Sequence, residues 1–454
     1  MSAIATAAPG VQAKAKLPAL EAGWRILLKL GMTKQGLDGT ISTAPARPRK
    51  RPTNPLQAGI DTFLSDCLHL EQASRTSLPK RYTLYLPLLL LPVNFTTHNV
   101  EWQRLYAGLD DVRKGQLFQT IADAFSCAGQ HVTHIAINAP IEHCQDTEEN
   151  VLRSPSGLLP VWGDCGPSGL LDGKVGNPGA ADFDAAFWVS TVQDHGIRQM
   201  WAPKWTMFSR GNLSEKRRIL GTVNKGQRSV MAGSAAHEIE NMQVLDLYVG
   251  IGYFALCYLA RGVSRVWGWD LNPWSIEGLR RGCEANGWAC VVLRVDDDGE
   301  CDRSTISDLV SRLRPNVHLR QEDRIRCIAF VGDNRWAAKV MRTIDMECSQ
   351  QLGAEAEASQ TKFQHVNLGM LPTSVASWPN AAALVAPSGE LHVHENVQFS
   401  DIDQKRSEVE SRLTHMLSRQ YGQRCARVAH VEHVKTYAPG IIHCVFDVEV
   451  LDIE

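Results

Sequence analysis

The stretch VLDLYVGIGYF, Val244 to Phe254, reads as a buried strand that ends in an acid, Asp246, and turns through Gly250 and Gly252 into a helix closing near Gly262. Glycines belong in such a turn because the backbone must approach a ligand closely and take conformations that a side chain forbids. Twenty residues beyond Gly250 the next apolar run, Val266 to Trp269, delivers a second acid, Asp270, with Asn272 and Pro273 behind it as N-cap and first helical position. An acid at that point suits the two hydroxyls of an adenosine ribose. Ala255 stands where the third glycine of a G-x-G-x-x-G fingerprint would be, so nothing anchors a pyrophosphate. S-adenosylmethionine, which carries no phosphate, fits better than a dinucleotide.

Outward from this turn, the chain from about Asn212 alternates strand and helix signals as a doubly wound parallel α/β sheet does. Expected strands are Gln243 to Tyr248, Arg265 to Asp270, Arg326 to Gly332, Phe363 to Gly369 and Glu390 to Asn396, with a closing pair from Arg427 to Val434 and Ile441 to Val450. The polar stretch Asp296 to Arg324 reads as an insertion near the middle of the sheet, although Cys290 to Val295 has the composition of a further strand. Upstream, residues 56–211 are expected to form a smaller α+β domain, with helical periodicity at Asp61 to Leu70 and Gly115 to Ala128 and a strand at His131 to Asn138. Residues 151–182, full of Gly, Pro and Asp, read as a long loop, followed by strand-like runs at Ala185 to Val192 and Trp201 to Phe208. Residues 1–55 are rich in alanine, proline and basic residues and are expected to be a flexible basic tail; within it Gly23 to Leu37 resembles a glycine-patch segment but reads as an isolated helical turn. The remaining span, 212–454, is the expected S-adenosylmethionine-binding catalytic domain.

Two further segments carry chemistry. VGDNR, Val331 to Arg335, closes another apolar strand, and its Asp333 and Asn334 can meet the amine and ring edge of an adenine as acceptor and donor. Between Trp201 and Val230 seven basic residues (Lys204, Arg210, Lys216, Arg217, Arg218, Lys225, Arg228) face one acid, Glu215, which is the local excess expected of a surface for a phosphate backbone. In the same stretch Asn212 and Glu215 have the spacing of a capping box.

The whole chain, 454 residues with 47 basic and 49 acidic side chains, has no global charge that would draw it to nucleic acid, so only a local patch can do so. The longest apolar run, Leu84 to Val93, is ten residues and holds Pro87 and Pro92, which excludes a helical membrane span there. Twelve cysteines without a C-x-x-C pair suit neither a zinc cluster nor a disulfide framework, and His392 and His394 on one strand face have no evident third ligand; no metal site is expected. A reducing compartment, the cytoplasm, is the expected location.

Taken in order, MFSRGN-x-x-EK (Met207 to Lys216), DLYVGIGYF, the turn Asp270 to Pro273, GDNR (Gly332 to Arg335), VNLGMLPTS-x-x-SW (Val366 to Trp378) and VKTYAPGIIHCVFDV near the end resemble the tRNA wybutosine-synthesizing protein 2 family, a relative of the tRNA guanine-N1 methyltransferases. The resemblance implies a class I, Rossmann-like fold that transfers the 3-amino-3-carboxypropyl group of S-adenosylmethionine to C7 of 4-demethylwyosine in phenylalanine tRNA. It further implies cofactor contacts at Ser209, Lys216, Asp270, Asp333 and Asn334, where many members carry glutamate at the position of Asp270. Lys216 or Arg210 would clamp the donor's carboxylate and so turn its propyl arm toward the base. The loop Asn367-Leu-Gly-Met-Leu-Pro372 lacks the Pro-Pro that amine methyltransferases place there. Methyl transfer to a tRNA guanine and a non-catalytic RNA-binding adaptor are the alternatives that the sequence leaves open.

Overall fold

The computed structural model describes residues 54–70, 77–138, 158–166, 178–208, 211–224, 226–313, 324–353 and 362–453. The basic tail up to residue 53, the glycine-patch-like segment and two of the expected site residues, Ser209 and Arg210, lie outside them.

A first layer of structure is built from α1 (Pro55–Thr62), β1 (Thr83–Tyr85), β2 (Leu88–Leu91), α2 (Val100–Ala107), α3 (Asp111–Cys127), β3 (His134–Ile137) and β4 (Leu159–Trp162). The strands form a four-stranded sheet in the order β1-β2-β3-β4, and helices α1 and α3 close over it around Leu56, Phe63, Leu117, Phe118, Ile121 and Ile135. β4 corrects the expectation of a loop over 151–182. Its residues LPVW carry a proline yet pair antiparallel with β3, which is allowed because β4 is the edge strand.

α4 (Ala180–Ala185) precedes a hairpin of β5 (Val189–Val192) and β6 (Arg198–Trp201). The expected run Ala185 to Val192 is a strand only over its second half, because Ala185 ends a helix, and the expected run Trp201 to Phe208 is not a strand: β6 ends at Trp201 and the residues past it turn so that Trp205 stacks on Trp274 with ring centroids 4.9 Å apart.

The larger unit follows: α5 (Leu213–Leu220), α6 (Ala236–Ile239), β7 (Gln243–Asp246), α7 (Ala255–Arg261), β8 (Arg265–Asp270), α8 (Pro273–Ala285), β9 (Ala289–Arg294), α9 (Arg303–Arg312), β10 (Ile325–Val331), α10 (Ala337–Leu352), β11 (Phe363–Leu368), α11 (Trp378–Leu384), β12 (Val385–Gln398), α12 (Ile402–Tyr421), β13 (Arg424–Ala438) and β14 (Ile441–Asp452). Its eight strands run in the order β13-β14-β12-β11-β7-β8-β10-β9, parallel from β12 to β9 and antiparallel where β14 meets β12 and β13. Apolar side chains fill both faces, with Leu256, Tyr258 and Leu279 of α7 and α8 on one and Met341, Ile344, Trp378, Val409 and Leu413 of α10, α11 and α12 on the other. This is the doubly wound α/β sheet expected from the alternating signals.

The polar stretch before GDNR does not enter the middle of the sheet. It joins β9, the outermost strand, to β10, and α9 within it buries Ile306, Leu309 and Val310 against the sheet. An insertion at an edge leaves the order of the inner strands unchanged.

Candidate functional site

The carboxyl ends of β7, β8, β10 and β11 lie side by side, with Asn367 opposite Asp246, Asp246 opposite Gly268, and Asp270 opposite Val331. β7 is the first strand of the parallel set, and the chain winds away from it in both directions, which makes these strand ends the switch point at whose crevice open α/β sheets hold their ligands. The glycine turn passes over this crevice. Gly250 and Gly252 have φ of 55° and 88°, a region that side chains rarely adopt. A Cβ on Gly252 would stand 2.7 Å from Leu279 Cδ1, so this glycine allows α8 to approach the turn.

Asp270 is the fastener. Its Oδ2 accepts from Gly250 N at 2.9 Å and its Oδ1 from Asn272 N at 2.8 Å, so one carboxylate fixes both the glycine turn and the start of α8. Asn272 in turn caps that helix, accepting from Trp274 N at 2.9 Å, with Pro273 at its first position. Asn334 gives an amide hydrogen to Leu247 O at 2.6 Å, and Asp333 accepts from Arg335 N at 2.8 Å. GDNR thus clasps the glycine turn from the β10 side.

Asp246 is wholly buried, and burial pushes its carboxyl up to about 7, against the opposing influence of Asn367 and of Tyr248 N–H, which donates to Oδ1 at 3.1 Å. No well-formed hydrogen bond reaches its Oδ2, or the Oδ1 and Nδ2 of the buried Asn367 across from it, although the two side chains face each other closely enough for Asn367 to act on the carboxyl. Buried polar atoms left in this way cost on the order of 1–3 kcal/mol each, and their position at the strand ends fits a ligand that both donates and accepts. The amino acid arm of S-adenosylmethionine, with its ammonium and carboxylate, is such a ligand. Sequence reasoning singled out Asn367 only for the missing Pro-Pro beside it; its pairing with Asp246 depends on β11 lying next to β7.

Lys216 sits behind the turn. It is buried, its Nζ lies 3.5 Å from Gln199 Oε1 and 5.9 Å from the centroid of the Tyr253 ring, and Gln199 Nε2 donates to Gly252 O at 3.4 Å. Tyr253 Oη donates to Met207 O, which ties the turn to the segment that leads into Ser209 and Arg210.

Helix α5, which carries Lys216, differs from its expected form. Asn212 has φ of 64°, makes no side-chain cap, and leaves its Oδ1 unpartnered, while Glu215 is drawn inward to accept from Arg218 Nη1 at 2.7 Å; the capping box does not form. Arg218, wholly buried, also bonds Asp447 and lies 3.7 Å from Glu432. Asp447 Oδ1 meets His392 Nδ1 at 2.8 Å, and His392 Nε2 meets His365 Nδ1 at 3.1 Å. Although burial works against it, His392 and Arg218 hold the Asp447 carboxyl below its ordinary range. The expected phosphate-binding patch is accordingly smaller. Arg218 is spent inside, Lys216 is buried, and Arg228 pairs with Glu390 and Glu449; Lys225 and Arg210 lie outside the described residues, and Arg217 and Lys204 remain at least partly exposed. A run of basic residues does not say which carboxylates from β12 to β14 will fold back onto it.

No family model matches the sequence. A tRNA wybutosine-synthesizing protein 2 from Schizosaccharomyces pombe is 34% identical over 399 residues, 87% of this chain and 78% of the relative. One of the same name from Saccharomyces cerevisiae is 30% identical over 405 residues, 82% of this chain and 74% of the relative. Among solved structures, P. horikoshii TYW2 in complex with MeSAdo superposes over 87% of this chain and 99% of its own at 16% identity, with a TM-score of 0.48. On the identity and coverage of the two yeast relatives, the chain belongs to the tRNA wybutosine-synthesizing protein 2 family.

Proposed function

We propose that this chain transfers the 3-amino-3-carboxypropyl group of S-adenosylmethionine to C7 of 4-demethylwyosine in phenylalanine tRNA. Family membership supports an S-adenosylmethionine-dependent, tRNA-modifying transferase of wybutosine synthesis, and the observation that carries the site assignment is the orphaned pair Asp246 and Asn367 beside the glycine turn. The sulfonium donor supplies an activated carbon: its bond from sulfur to the aminocarboxypropyl group breaks, a carbon–carbon bond forms at the base, C7 loses a proton, and 5′-methylthioadenosine leaves.

The residues divide the work. Asp246 and Asn367 receive the amino acid arm, which is the group in transit. Asp270, whose two oxygens accept from Gly250 N and Asn272 N, is assigned to the ribose hydroxyls. Asp333 offers an acceptor to the adenine amine, and Asn334 holds the turn through Leu247 O. Lys216 or Arg210 is assigned to the donor's carboxylate, and Ser209 to a further cofactor contact. Which carbon of the sulfonium reacts then depends on the pose of this arm, and misplacement by about 1 Å costs on the order of 100-fold in rate.

Among the described residues no helix is long and apolar enough to cross a membrane, and the eleven described cysteines are unpaired thiols, which supports a reducing compartment such as the cytoplasm. The test of substrate is an assay on phenylalanine tRNA carrying 4-demethylwyosine beside the same tRNA with unmodified guanosine. The expected result is mass gain only on the first; gain on the guanosine tRNA would replace this reading with guanine modification.

A further inference from the structure

Away from the crevice, on the α8 face of the sheet, three cysteines meet. Cys283 comes from α8, Cys290 from β9 and Cys327 from β10, and their Sγ atoms all lie within 4.8 Å of one another. Cys290 and Cys327 are register partners across the parallel β9–β10 pair, and Cys283 closes over them from the helix. Cys283 and Cys327 are wholly buried, and Cys290 is partly buried on the edge strand β9.

We propose that Cys283, Cys290 and Cys327 form a three-thiolate site for a soft divalent cation of the zinc class. Thiolates bind such an ion at about 2.3 Å, which sets the sulfurs of a tetrahedral site about 3.8 Å apart, so the three need close only slightly. A disulfide would use two of the sulfurs and leave the third, from a separate element, without a role. With three protein sulfurs the fourth position falls to water, as in zinc sites with three protein ligands. Three thiolates around a divalent cation leave one negative charge, and the guanidinium groups of Arg280 and Arg326 lie close enough to act on the cysteines electrostatically; Arg326 hydrogen-bonds only main-chain carbonyls, of Ser264, Leu259 and Val263, among its described contacts. Binding converts thiols to thiolates with release of up to about three protons per ion. The cluster ties the edge strand β9 to β10 and to α8, the helix that Asp270 and Asn272 fix at its other end.

The test uses the full reduced chain, stripped of metal, titrated with Cd²⁺ as the optical probe and with Zn²⁺ for X-ray absorption. The expected result is thiolate-to-cadmium charge-transfer absorption saturating at one ion per chain, lost in Cys290→Ala and Cys327→Ala and kept in Cys425→Ala, a half-buried cysteine outside the cluster. Zinc in the wild type is expected to have about three sulfur neighbours. The same absorption in Cys290→Ala as in the wild type, or a zinc shell with one sulfur or none, would overturn the proposal. The zinc spectrum needs no variant, so a substitution that prevents folding does not shield the proposal from test.

Discussion

Asp246 carries a charge problem that, on the proposed assignment, the donor would solve. In the free protein its buried carboxyl is pushed up to about 7, so it holds a proton at lower pH, and the cost of burying its charge grows as pH rises. A bound ammonium or hydroxyl favours the ionised form, so donor binding below about pH 7 must first expel that proton. We expect S-adenosylmethionine affinity, measured by equilibrium dialysis, to rise as pH climbs through about 7 and to lose that dependence in Asp246→Asn. A variant with the same pH profile as the wild type would remove Asp246 from the site. Asp246, Gly250, Gly252 and Asp270 were legible as a group because one strand–turn–helix unit and the next strand hold them. Asn367 and Gln199 were not, since only the sheet order and the β5–β6 hairpin bring them to the turn.

At the scale of the element, α5 shows how an apparent surface becomes an interior. Its sequence LSEKRRIL reads as a polar face, yet Glu215 and Arg218 are buried because β14 offers Asp447, held by His392 of β12, to the guanidinium, and Lys216 is buried against Gln199 of β6. Removing one member of such a network strands the others: Arg218→Ala should cost about 3–5 kcal/mol in denaturant unfolding, whereas Arg217→Ala, on the exposed side, should cost little. Equal stabilities for the two would mean that the buried network is not formed. The exposed remnant has its own readout. Replacing Lys204 and Arg217 together should weaken tRNA binding and flatten its salt dependence by up to about two units of slope, and an unchanged slope would exclude both from the phosphate contacts. Strands with steady apolar content, such as Arg265–Asp270, were legible to the residue. β4 and β9 were harder to place, the one masked by proline and glycine, the other standing beside a polar insertion.

Across the whole molecule, a doubly wound sheet supplies the crevice, a smaller α+β unit precedes it, and the C-terminal strands lock α5 against the sheet. The sheet was readable because its strands and helices alternate with regular apolar content. Contacts between distant parts of the chain, Arg218 with Asp447 or Cys290 with Cys327, were not, because no local pattern encodes a pairing that the sheet order alone creates. The central claim is that this architecture aims the aminocarboxypropyl carbon, and not the methyl, at the base. Mass spectrometry of the small product formed with precursor phenylalanine tRNA tests it most directly. The account predicts 5′-methylthioadenosine together with an aminocarboxypropyl gain on the tRNA; S-adenosylhomocysteine with a methyl gain would contradict it.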